Sequence, residues 1–320
     1  MNTYLFRPRS WLFVLVLWLG CCGVSQAFTC TAYSGPEIDF GTVDVLSGVA
    51  ADDAKPVNFG CNDVGPTAQQ ALICISAQPD PNTSGYDPRY LALNSNYQTG
   101  RLAYNLYQDA ARSVILGSVD SGSYAPLSMV VTLTPYYYAG TATVYARTRT
   151  SGQAAPNGNY GIAQPFKLSY MPYVPGATCS SPQMVTTTWQ PPYFNAKVSS
   201  QCLVSATTMN FGSVGSLSSS VAGTSTLNVT CNSASYTLEL NNGQNYSGGT
   251  RRMKSASGGY VQYGLYQNAA HSVSWGSGTS AVTGAGTGLA QTLTVYGLVP
   301  SQTGVASGSY SDTIVVTLTY

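Results

Sequence analysis

Apolar and polar side chains alternate along much of this chain with a period of two. In its final stretch Ile314, Val316, Leu318 and Tyr320 interleave with Thr313, Val315, Thr317 and Thr319. That is the pattern of a β-strand with one buried face. In the second half, runs of this kind predict strands at roughly 203–213, 224–231, 235–241, 259–267, 289–297 and 310–320. Gly, Ser and Asn clusters between them suit antiparallel turns, and no stretch carries a helical period. Six strands of this length predict an immunoglobulin-like sandwich, for which about seven strands are usual. A partly open barrel shares the same periodicity.

The first half repeats the second in order. Cys30, Phe40-Gly41-Thr-Val43 and Cys61 answer Cys202, Phe211-Gly212-Ser-Val214 and Cys231. Tyr104-Asn-Leu-Tyr-Gln108-Asp-Ala-Ala-Arg-Ser-Val114 answers Tyr263-Gly-Leu-Tyr-Gln267-Asn-Ala-Ala-His-Ser-Val273, and the strand ending at Tyr170 answers the one ending at Tyr320. Such order marks one fold duplicated in tandem. After Tyr170, however, the sequence supplies another alternating run, Met184-Val-Thr-Thr-Thr-Trp-Gln190, with Val185, Thr187 and Trp189 on one face; after Tyr320 it supplies none. The expected architecture is therefore all-β: two tandem immunoglobulin-like β-sandwich domains, the first complete and the second lacking its last strand. The first domain is placed at 28–190, a linker opened by Pro191-Pro192 at 191–201, and the second domain at 202–320. A missing strand leaves open backbone donors and acceptors and a strip of uncovered core. Phe211, Val214, Ile314, Val316, Leu318 and Tyr320 are expected to line that groove and to receive a strand from another protein.

Composition narrows the class. Charged residues make up 8% of the chain, far below the roughly 25% typical of globular proteins, and hydroxyl-bearing residues abound. Arg7 and Arg9 precede an apolar run from Trp11 to Gly20, and Ser25-Gln26-Ala27 offers a small-residue cleavage site. Residues 1–27 thus read as a secretory signal peptide; lipoprotein processing at Cys21 or Cys22 is the alternative, poorly served by Trp18 and Leu19. Cleavage removes two of the 13 basic residues, leaving 11 against 12 acidic ones, so neither nucleic acid nor an anionic membrane is expected as partner. Six cysteines remain, an even number that suits disulfides in an exported protein. Metal ligation fits badly, because no two of these cysteines lie two to four residues apart and His271 is the sole imidazole. Spacing leaves connectivity open. The repeat pairs Cys30 with Cys61 and Cys202 with Cys231, leaving Cys74 and Cys179 to staple one end of the first domain.

Together, the cysteine pairs about thirty residues apart, the Phe-Gly-x-Val, the Tyr-x-Leu-Tyr-Gln-(Asp/Asn) segment and the Gly-x-Tyr-x-Asp-x-Ile-Val-Val-Thr-Leu ending resemble the spore coat protein U domain family. Each motif is short, but their fixed order occurs twice and covers nearly all the mature chain. The resemblance implies a subunit of an archaic chaperone–usher pilus, similar to the two-domain tip adhesin of the Csu type. It implies three partners: a periplasmic pilus chaperone, an outer-membrane usher, and an adjacent pilin subunit donating a β-strand. It also implies export to the periplasm, then display at the pilus tip. Phe28-Thr-Cys30 leaves little N-terminal segment to donate, as expected of a subunit that only accepts.

In an immunoglobulin-like domain the loops after the second, fourth and sixth strands share one end. Here these are placed at 62–73 with Val64, Leu72 and Ile73, at 135–140 with Tyr136, Tyr137 and Tyr138, and at 171–178 with Met171, Tyr173 and Val174. Three apolar loops at one end would form a sticky patch, and the resemblance implies attachment to abiotic or host surfaces and biofilm formation. The alternatives are that these residues pack on their own hairpins, that the aromatic loops bind a glycan, or that the protein is a structural coat or matrix subunit. No enzyme is expected and no cofactor. His271 matches Arg112 in a turn-like segment, without paired carboxylates or a nucleophile elbow beside it.

Overall fold

The computed structural model describes residues 28–149, 153–232 and 235–320; the signal peptide expected at 1–27 lies outside the described residues. The N-terminal sandwich is built from β1 (Thr29–Ser34), β2 (Asp39–Val43), β3 (Asp52–Val64), β4 (Gln69–Ala77), β5 (Arg89–Leu93), β6 (Asn96–Tyr107), β7 (Leu127–Leu133), β8 (Tyr136–Thr148), β9 (Gly158–Ala163), β10 (Phe166–Pro172), β11 (Val185–Thr188) and β12 (Tyr193–Val198). One sheet runs β1-β3-β8-β6-β5-β9-β12-β2 and the other β11-β10-β4-β7. The inward positions of both close on one core, with Phe59, Leu102 and Tyr104 from the first sheet against Ile73, Ile75, Phe166 and Leu168 from the second.

The C-terminal sandwich repeats the plan with β13 (Cys202–Ala206), β14 (Val221–Cys231), β15 (Tyr236–Leu240), β16 (Arg251–Ser255), β17 (Tyr260–Tyr266), β18 (Val282–Gly284), β19 (Ala290–Val299), β20 (Tyr310–Ser311) and β21 (Val316–Thr319). Its sheets run β13-β14-β19-β17-β16-β20 and β18-β15-β21. Leu227, Val229, Leu265 and Val295 meet Tyr236, Leu238 and Leu240 across the core, with Trp275 buried among them and donating its indole N–H to the Leu238 carbonyl at 3.2 Å.

The run 310–320, expected as one strand, is split. Tyr310–Ser311 pairs with β16, and Val316–Thr319 pairs with β15 in the other sheet. The crossing is held by Asn241, whose N–H donates to the Val315 carbonyl and whose Oδ1 accepts from the Val315 N–H. Strands that change sheets in this way form the corners of sandwiches. Tyr310 donates its hydroxyl to the Ala306 carbonyl, and its counterpart Tyr160 donates to Pro156, the tyrosine-corner contact of Greek-key sandwiches. The Gly-x-Tyr motif of both copies thus has a local physical cause.

The duplicated Gln-(Asp/Asn)-Ala-Ala-x-Ser-Val segment is a tight turn. Asp109 accepts from the N–H groups of Ser113 and Val114, and Asn268 from those of Ser272 and Val273. Arg112 and His271 occupy the same left-handed position, φ 55° and 53°, and His271 stands edge-on to Tyr266. The disulfides are Cys30–Cys61, Cys74–Cys179 and Cys202–Cys231.

The stretch read as a linker, 191–201, carries β12 instead. This strand is hydrogen-bonded between β9 and β2, antiparallel to the first and parallel to the second. Pro191-Pro192 does not end the closing strand but divides it, β11 lying in one sheet and β12 in the other. Only Ser199–Gln201 separates β12 from β13.

Candidate functional sites: an open strand edge and a tyrosine tip

The two sandwiches differ at equivalent edges. In the N-terminal one, Lys167–Tyr170 of β10 pairs on its outer side with Val185–Thr188, and β9 pairs with all of β12. The side chains of β12 alternate, so Phe194, Ala196 and Val198 point into the core, where the Phe194 ring lies 5.8 Å from Tyr104 and 6.3 Å from Phe166. In the C-terminal sandwich β21 is bonded to β15 and β20 to β16, and among the described residues neither has a strand on its other side.

Exposure follows the pairing. Phe166, Leu168 and Tyr170 are buried, whereas Val316 and Leu318 at the same positions are half-exposed and Tyr320 is 56% exposed. Val43, paired with Val198, is 2% exposed; its counterpart Val214 is 51% exposed. Phe211 still packs on Tyr263 at 6.3 Å, as Phe40 packs on Tyr104 at 5.9 Å, but it is only half-buried. Ile314 is likewise half-buried against this core. Each of these six residues therefore keeps accessible surface, and Phe211, Ile314, Val316 and Leu318 pack against the edge of one core. Its rim is fixed by Asp312, which accepts from the Tyr263 hydroxyl at 2.7 Å and from the Gln244 N–H at 3.0 Å. Burial, then this carboxylate, holds the Tyr263 phenol well above its ordinary pKa.

The opposite end of the N-terminal sandwich is shaped by three connections, 65–68, 134–135 and 173–184, which are shorter or shifted relative to the expected loops. Of the nine residues placed there, four are not available at a surface. Val64 and Ile73 belong to β3 and β4 and are buried in the main core. Leu72 and Met171 face the outside of their sheet, but the segment 173–184 folds over them and is bonded there through Cys74–Cys179, forming a small second core with Tyr173 and Met184. Tyr138 is half-buried, its ring 6.2 Å from Phe59.

Tyr136, Tyr137 and Val174 are exposed, Tyr136 to 70%. Tyr136 also holds φ 70° beside a bulge opposite Asp63. A bulky residue in the left-handed region is an outlier that surrounding structure must maintain. Tyr33, which sequence reasoning missed, completes the cluster: its hydroxyl lies 3.3 Å from that of Tyr137, and this contact raises its pKa. The Tyr33 ring lies flat over Gly60, where a Cβ would sit 1.8 Å from the hydroxyl. The signal was available in the sequence, since Tyr33 and Gly60 flank the paired cysteines Cys30 and Cys61.

The Spore Coat Protein U domain matches twice, at residues 21–161 and 188–317. Protein U of Myxococcus xanthus is 42% identical over 73 residues, which is 22% of this chain; the match spans 40% of that curated relative. Among solved structures, the CsuC–CsuE chaperone–tip adhesion subunit pre-assembly complex of archaic Csu pili from Acinetobacter baumannii is 17% identical, with a TM-score of 0.46 over 91% of this chain and 100% of that one. The CupB6 tip adhesin from Pseudomonas aeruginosa is 14% identical, with a TM-score of 0.36 over 91% of this chain and 93% of that one. These two structural likenesses are loose. The family match covers both sandwiches and most of the sequence, and on that ground the chain belongs to the Spore Coat Protein U domain family.

Proposed function

We propose that this protein is the tip adhesin of an archaic chaperone–usher pilus. On this reading the C-terminal sandwich is anchored by a strand from the adjacent pilin subunit, and the N-terminal sandwich attaches to abiotic or host surfaces and promotes biofilm. The observation that supports it most strongly is the contrast between equivalent edges: β10 is covered by β11 and β9 by β12, while among the described residues β21 and β20 are bare on that side. An unpaired strand edge beside a half-exposed apolar strip is a template for strand addition. It is also an aggregation hazard, which explains the need for a periplasmic chaperone to cover it before an outer-membrane usher brings the donor. The exposed Tyr33, Tyr136 and Tyr137 supply the opposite end with amphipathic rings suited to contact.

The test is hydrogen exchange on the mature chain, alone and with a copy of residues 185–198 fused after Tyr320 through a flexible linker. The amides of Val316–Thr319 that face away from β15 should exchange rapidly in the first protein and be protected in the second. Protection already present in the unmodified chain would mean that the edge is covered from within, and the anchoring role would fall.

A further inference from the structure

The strand that closes the N-terminal sandwich has two faces, and only one is used by the core. Phe194, Ala196 and Val198 point inward; Tyr193, Asn195 and Lys197 alternate with them and point to solvent. Across the ladder Asn195 stands opposite Gly161 and Lys197 opposite Asn159. Next to them is the β5–β6 turn, whose Asn94 and Ser95 both have positive φ, 47° and 59°, and whose Asn94 N–H donates to the Asn159 carbonyl at 2.8 Å. These residues enclose an open depression of about 510 Å³ on the outer face of the sheet, lined by no residue of the C-terminal sandwich.

Its floor has a specific cause. Gly161 leaves a gap in the row of outward side chains, and the Tyr193 ring lies in it; a Cβ at 161 would come within 2.1 Å of the phenol oxygen. The ring is thereby held flat, with its hydroxyl 3.5 Å from Ser95 Oγ and nearly half of its surface exposed. Around it stand the carboxamides of Asn94, Asn159 and Asn195, none bonded to another described side chain or backbone group, and the ammonium of Lys197, which joins no ion pair among the described residues. A carboxamide offers two donors and an acceptor in one plane, which suits vicinal hydroxyls that each give and take a hydrogen bond. An exposed aromatic face suits the C–H side of a pyranose ring, and the volume lies within the range of small-ligand sites.

We propose that this face is a saccharide-binding site, taking a short glycan whose hydroxyls bond Asn94, Asn159 and Asn195 while a ring lies on Tyr193. It does not depend on how the C-terminal sandwich is anchored. It is distinct from the tyrosine tip, and it exists only because β12 is present; the C-terminal sandwich, bare at that edge among the described residues, has no equivalent.

The experiment uses the full mature chain and three probes: lactose, N,N′-diacetylchitobiose and 3′-sialyllactose. Saturation-transfer NMR reports contact and titration gives affinity. At least one probe should bind with Kd below about 10 mM, and Tyr193→Ala and Asn195→Ala should each weaken it about tenfold or more, the scale of one lost hydrogen bond or stacking contact. Both positions face solvent, so the melting temperature should stay near the parent value, and Tyr136→Ser should leave sugar binding unchanged. If no probe binds, or if binding survives both substitutions, the proposal is overturned.

Discussion

Leu168 and Leu318 occupy the same position of the duplicated strand, opposite Ile75 and Leu238 respectively, and comparing their truncation isolates what the open edge does. Leu168 is fully buried, so Leu168→Ala should cost about 2–5 kcal/mol, combining lost transfer energy with the cavity left behind. Leu318 is half-exposed. Part of its surface has never left water, and any cavity opens to solvent, so Leu318→Ala should cost only about 1 kcal/mol in the unmodified chain. Once a strand fused after Tyr320 covers the groove, the second cost should rise into the range of the first. Urea unfolding followed by tryptophan fluorescence can read both in a chain begun at Phe28, where Trp189 reports on the N-terminal sandwich and Trp275 on the C-terminal one. Equal costs for the two leucines in the unmodified chain would refute the reasoning.

Other outcomes can be checked separately. N-terminal sequencing of exported protein should begin at Phe28, whose side chain is buried in the first core. Tyr136→Ser with Tyr137→Ser should lower attachment to surfaces without changing thermal stability, whereas Tyr138→Ser should cost about 1–3 kcal/mol because its ring packs on Phe59. Replacing Cys74 and Cys179 by Ser should cost about 2–5 kcal/mol and make 173–184 a site of early proteolysis. Arg147, hydrogen-bonded at 2.7 Å, holds Asp52 below its usual carboxylate pKa, helped by the charge of Arg112. A depressed folded-state value means that this contribution is complete above the unfolded pKa of about 3.9 and is lost as pH falls through the folded one. Acid titration of stability should therefore be shallower below about pH 4 in Asp52→Asn and unchanged between about pH 5 and 8.

The duplication and the difference between its copies were legible because both are matters of order along the chain. The closing strand was legible only to Gln190, since Pro-Pro ordinarily stops pairing; here the break falls where the strand passes from one sheet to the other, and Phe194-x-Ala196-x-Val198 resumes the alternation. Four tip residues were misplaced for a related reason. Ala71-Leu-Ile-Cys-Ile75 is apolar without alternation, and such a run signals burial on both faces. The second cover, 173–184, is an irregular segment with no pattern of its own. Arg89 and Arg251 were equally illegible. Each buries a guanidinium that donates to backbone carbonyls, Leu116 among them in one copy and Leu240 and Asn241 in the other, and in each burial depresses the pKa. Neither Arg89, next to Tyr90, nor Arg251, next to Arg252, carries a periodic signal of that role.

The short connection Ser199–Gln201 has a mechanical consequence. Asn232 donates its side-chain N–H to the Ser199 carbonyl and accepts from the Gln201 N–H, while its main-chain carbonyl accepts from Asn157. A pull on the N-terminal sandwich thus enters the C-terminal one at Cys202, where the bond to Cys231 welds the first strand to β14. Peeling is blocked at the point of entry, and the load passes into the long β14–β19 ladder in shear. On the anchoring role proposed above, the weak link under tension is the noncovalent strand added at the far edge, not this joint.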